Sequence, residues 1–136
     1  MAGASKLQIL KKLPIGAFVT VSISVLLGGC GGGAVDVADS IKELKNYYLK
    51  SPPNTGWEIM TISAENEQKL IVDMRVISES DLNKIASVSR MQQFAIAKLG
   101  CPITSDDLRS KIGKDTEVWV RLNSSTEVLT FSICPH

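Results

Sequence analysis

Fifteen consecutive residues, 13–27, carry no charge and are dominated by apolar side chains, with Lys6, Lys11 and Lys12 standing before them. No other stretch limits the chain as strongly. A stable membrane-spanning helix needs about 20 apolar residues, whereas a shorter apolar core behind a positive segment has the form of a removable export signal. Of the 136 residues, 107 follow position 29. That is enough for one modest hydrophobic core, so the division predicted is a signal peptide over 1–29, a short tether over 30–35 and a single domain over 36–136.

Losing the first 29 residues also changes the charge. The whole chain has 15 Lys and Arg against 14 Asp and Glu, and without the three early lysines the balance is 12 against 14. A slightly acidic domain lacks the basic excess that a phosphate backbone demands, which argues against a nucleic-acid partner.

The apolar run closes on Leu27-Gly28-Gly29-Cys30. An aliphatic residue, two small residues and a cysteine in that order resemble the lipobox of bacterial lipoproteins. The resemblance covers only this targeting segment. It implies cleavage between Gly29 and Cys30, diacylglycerol on the Cys30 thiol and acylation, with palmitate for example, of the freed amine. More than one acyl chain gives stable anchoring where a single chain does not. Gly31, rather than Asp, follows the cysteine, and within the resemblance this implies an outer-membrane lipoprotein facing the periplasm, the inner membrane and cell surface being the alternatives. Gly31-Gly32-Gly33 then reads as a flexible spacer, since no strand precedes it and no Lys-Ser/Thr closes it as a phosphate loop requires.

Behind the spacer the patterning alternates between helical and strand periods. Val37, Ile41, Leu44 and Tyr48 recur at helical spacing over 36–50, and the Pro-Pro-Asn-Thr-Gly stretch stops that helix. Segments 57–64 and 70–78 are strand-like and are joined by a polar turn, which predicts an antiparallel hairpin. Leu82, Ile85, Val88, Gln92, Ala95, Ile96 and Leu99 predict one long helix that ends at Gly100 and Pro102. Thr104 and Asp107 cap a short helix closed by Gly113, and 116–123 with 126–134 predict a second hairpin about Ser124-Ser125. The fold class expected is α+β: a four-stranded antiparallel sheet of two hairpins, packed on one face by the long helix and the N-terminal helix.

With Cys30 assigned to lipid, Cys101 and Cys134 remain as an even pair in an exported chain. A structural disulfide is the expected use, since no C-x-x-C exists and the chain owns too few His and Cys for a metal site. One conflict stands. Strict alternation along the last strand puts Cys134 on the face opposite Leu129, Phe131 and Ile133, the apolar set expected to face the helices.

Catalytic chemistry finds little support. The single histidine, His136, is the terminal residue, and no serine lies in a G-x-S-x-G turn. The acidic pairs Asp106-Asp107 and Glu65/Glu67 read as a helix start and a solvated turn. The chain is therefore expected not to be an enzyme and to need no cofactor.

On the helix-free face, alternation gathers Asp73, Arg75, Trp119, Arg121, Thr130 and Ser132. Trp and Arg are the residues that most often anchor interfaces, so Arg75, Trp119 and Arg121 are the candidate partner-binding residues. The leading expectation is a non-catalytic assembly or secretion accessory that docks an envelope protein. The alternatives are a small-ligand or glycan binder, a carboxylate-only hydrolase, and an inhibitor or immunity lipoprotein that inserts the Glu65-Asn66-Glu67 turn into a foreign enzyme.

Overall fold

The computed structural model describes residues 35–136. The signal segment, the Gly29–Cys30 cleavage position and all of the tether except Val35 lie outside the described residues.

Helix α1 spans Val37–Lys50. It starts there because the Asp36 carboxylate accepts the Ala38 N–H at 2.8 Å, satisfying a backbone donor that has no partner within the helix. Ser40, Leu44 and Tyr48 form its buried face. The Ser51 N–H closes the last turn onto the Tyr47 carbonyl, and prolines 52 and 53 prevent continuation.

Strands β1 (Trp57–Asn66) and β2 (Lys69–Val76) pair antiparallel, and the Gln68 N–H donates to the Asn66 side chain at the turn between them. Along β2 every second residue is buried: Leu70, Val72, Met74 and Val76. β3 (Glu117–Asn123) and β4 (Val128–Ile133) form the second antiparallel pair. The sheet order is β1-β2-β3-β4.

The sheet is mixed, which corrects the all-antiparallel expectation. β2 and β3 run parallel, with Lys69 opposite Glu117 and Asp73 opposite Arg121. The intervening helices carry the chain back to the end where β2 began, and a parallel pair needs a crossover of that kind. Strand patterning alone is the same for either direction.

The expected long helix is two helices. α2 (Glu79–Ser87) ends at Val88, whose φ of −104° and ψ of 164° are extended, and α3 (Arg90–Ala97) starts afresh. Ser89 and Gln92 form a capping box, each side chain serving the other residue's backbone N–H. That Ser-x-x-Gln signal lies in the middle of the apolar stripe and overrides it. A 3-10 turn, Lys98–Gly100, follows α3, and α4 (Asp106–Ile112) ends at Gly113, where φ is +96°.

The core lies between the helices and one face of the sheet. Leu44, Tyr48, Ile85, Ala97, Leu108 and Ile112 join Leu70, Val72, Met74, Val118, Val120 and Leu122 in one cluster. Fully buried leucines of this kind typically contribute about 2–5 kcal/mol each when truncated to Ala. Cys101 and Cys134 are disulfide-bonded with their Cα atoms 5.4 Å apart, which ties the chain after α3 to the residue that follows β4. Among the described residues no helix is long and apolar enough to cross a membrane.

Candidate functional site: the open face of the sheet

The face of the sheet turned away from the core cluster is built by alternation. β2 contributes Lys69, Ile71, Asp73 and Arg75, and β3 contributes Glu117, Trp119, Arg121 and Asn123. The register then decides the last strand: Phe131 pairs with Arg121 and Ile133 pairs with Trp119, so both point outward. They are 39% and 47% exposed. This reverses the expected parity of β4. Thr130 and Ser132 oppose Leu122 and Val120 on the inner side, and Thr130 is buried rather than part of the open face. Cys134 shares that inner parity, which is why it reaches Cys101. The conflict over Cys134 in the sequence was the available signal for Phe131 and Ile133.

Aromatic residues run across this face. Trp119 and Phe131 stack with centroids 5.5 Å apart and planes 15° apart, and Phe94 of α3 meets Phe131 at 5.2 Å beside edge strand β4. The Lys69 ammonium sits 3.8 Å from the Trp119 ring centroid, a cation–π geometry. Arg121, Asp73 and Asn123 form a polar group next to the aromatics. The Arg121 guanidinium grips Asp73 with two bonds of 2.5 and 2.7 Å, and the Asn123 amide donates to the same carboxylate at 3.2 Å. The Arg121 hydrogen bond, helped by those from Asn123 and Thr61, holds the Asp73 carboxyl below the usual carboxylate range against a partial burial that opposes it. Arg75 binds Glu58 at 2.6 Å, Lys69 binds Glu65 at 2.5 Å, and the Trp119 indole N–H donates to Glu117 at 3.1 Å. Lys69, Asp73, Arg75 and Arg121 each meet an oppositely charged neighbour, while the Arg75 Nε is buried without a hydrogen-bond partner.

The structure brings Trp119 and Arg121 together on β3 with Arg75 on β2, as part of one continuous face. Comparison with family models, with curated proteins and with solved structures returns no match. The site is therefore read from its own geometry.

Other candidate groups fall elsewhere. Asp106 and Asp107 occupy the first turn of α4, where the helix dipole favours them, and Asp107 pairs with Lys111. Tyr48 and Trp57 are both core residues. The Tyr48 hydroxyl donates to the Gly100 carbonyl at 2.8 Å, burial pushing its pKa far up, and the Trp57 indole donates to Asp81 at 3.1 Å. His136 lies against Arg109. No group of three or more His, Cys, Asp or Glu fit to hold a metal occurs among the described residues.

Two clefts flank the sheet. The larger, about 980 Å³, is lined by Val35, Glu67, Gln68, Gly113, Lys114 and Thr116 at the end where β2 and β3 begin. The smaller, about 320 Å³, lies between Met60, Asp73, Arg121 and the 124–127 turn.

Proposed function

We propose that this chain is an exported lipoprotein, anchored through acyl chains on Cys30, whose folded domain is a non-catalytic docking module for a protein of the cell envelope. The outer membrane, facing the periplasm, is the proposed location. The observation that carries the docking role is the Trp119–Phe131 stack on the face turned away from the core, with Ile133 half-exposed beside it and Phe94 of α3 against Phe131. Aromatic side chains left in water cost free energy that a partner recovers by covering them, and Trp next to Arg is the usual composition of an interface centre. Arg75, Trp119 and Arg121 are the residues proposed to meet the partner, with Phe131 and Ile133 added to them.

Membrane-extracted protein should have the intact mass of a chain that starts at an acylated Cys30. Substituting Trp119→Ala and Arg121→Ala together should remove the partner recovered by cross-linking in membranes, while the domain still unfolds in one cooperative transition. A partner retained in full by that folded double variant removes the docking role from this face.

A further inference from the structure

We infer that the smaller cleft, between the edge strands β1 and β4, binds a neutral sugar, held as one pyranose ring. This goes beyond the docking role and does not rest on it. Of the residues proposed to meet the protein partner, only Arg121 lines this cleft.

The cleft is made where both edge strands break their register. Pairing passes from Ile59–Met74 to Thr61–Asp73, which leaves Met60 of β1 as an extra residue. It passes likewise from Leu122–Thr130 to Asn123–Val128, which leaves Leu129 of β4 as an extra residue. A bulge bends its strand and re-aims a side chain, and bulges are over-represented beside functional sites. Here one stands on each side of the same polar group, Asp73, Arg121 and Asn123. Met60 and Val128 line the cleft from the two edge strands, each 53% exposed. Its volume of about 320 Å³ falls at the lower end of small-molecule sites, roughly 300–1,000 Å³.

The polar group selects the ligand by what it leaves free. The Asp73 carboxylate accepts from Arg121 Nε and Nη2, from the Asn123 amide and from the Thr61 hydroxyl. It is saturated, and its side chain is only 13% exposed, so it offers little to a cation. The Arg121 charge is cancelled by Asp73, and Glu127 at the rim repels anions. Neutral hydrogen-bonding capacity remains. Arg121 Nη1, Asn123 Oδ1 and the Ser125 hydroxyl make no hydrogen bond among the described residues. Donor and acceptor thus stand side by side between two apolar side chains. A pyranose presents the complement: neighbouring hydroxyls that both donate and accept, on a ring with apolar C–H patches. The bonds to Asp73 hold Arg121 and Asn123 in place beforehand, which lowers the ordering cost of binding.

Methionine labelled with carbon-13 at its ε-methyl reports on this cleft directly. Met60 lines it, Met74 is fully buried in the core, and Met91 of α3 does not line it. The labelled full chain, in a detergent without sugar headgroups, is titrated separately with glucose, galactose, mannose and N-acetylglucosamine. At least one sugar should move the Met60 resonance saturably while Met91 stays in place. Asn123→Ala deletes the free acceptor, and Val128→Asp puts a hydrated charge on an apolar wall. Each should weaken that sugar by about ten-fold. The Met74 resonance checks that each variant keeps its core, and Val128→Asp decides alone if Asn123→Ala does not. No saturable shift with any of these sugars up to about 100 mM overturns the inference. So does unchanged affinity in either folded variant. Tighter binding of sulfate, calcium or N-acetylglycinamide than of every sugar also overturns it, and assigns the cleft to an anion, a cation or a peptide.

Discussion

Phe131 stacks on Trp119 across the β3–β4 pair, with ring centroids 5.5 Å apart and planes 15° apart, on the side of the sheet turned away from the core cluster, and Phe94 of α3 meets Phe131 at 5.2 Å. The two rings shield one another only in part. Replacing Phe131 and Ile133 together by Ser should lower stability by only about 1–2 kcal/mol, roughly the loss of an aromatic pair and some half-exposed surface. Leu44→Ala, which empties a fully buried site, should cost about 2–5 kcal/mol. Urea unfolding of the three proteins checks the contrast. A Ser/Ser variant as damaged as Leu44→Ala would mean that Phe131 and Ile133 belong to the core.

The Cys101–Cys134 bond closes a loop with a sequence separation of 33. In the chain-entropy model a loop of that size contributes about 3–4 kcal/mol by restricting the unfolded chain. Replacing both cysteines by Ala should therefore lower the unfolding midpoint by well over 10 °C for a domain of this size. Calorimetry of oxidised and double-Ala protein measures it, and unchanged midpoints would contradict a stapling role.

Thr130 presents the opposite case. Its hydroxyl is buried on the inner face without a hydrogen-bond partner, a loss of hydration that nothing repays. Thr130→Val keeps the branched shape and removes the orphan oxygen, and should raise stability by about 1 kcal/mol. A destabilised valine variant in the same urea assay would show that the hydroxyl is satisfied in solution.

Asp73 ties stability to pH. Its folded carboxyl titrates below the ordinary range, chiefly through the Arg121 hydrogen bond. Its contribution is thus complete above the unfolded carboxylate value near 4 and is lost as pH falls through the lower, folded value. Asp73→Asn should accordingly be less stable than the parent at pH 7, and the gap should close towards pH 2. Paired urea titrations across that interval test the sign. A gap that stays constant would exclude the Asp73–Arg121 pair as its source.

Much of the fold was legible locally. Four strand segments, the first helix and the short α4 follow from period and end signals, with Asp36 before α1 and Gly113 with positive φ after α4, although the α4 cap is Ser105, which accepts the Leu108 N–H, and not the expected Thr104. The capping box at Ser89 and Gln92 was also present in the sequence, but an apolar stripe running through it favoured one helix over two. Trp119 and Arg121 could be assigned to a common face because alternation within one strand needs no knowledge of neighbours.

The sequence by itself determined the element types, the β3 half of the open face and the even cysteine pair, because each is set by residues close together along the chain. The tertiary structure alone decided the direction of β3 relative to β2 and the parity of β4. The first is a pairing across a helical crossover and the second a register within a hairpin, and strand periodicity is blind to direction and to which of two faces lies inside. The Cys101–Cys134 bond and the Leu122–Thr130 register fix that choice, and with it they turn Phe131 and Ile133 out to solvent beside Trp119.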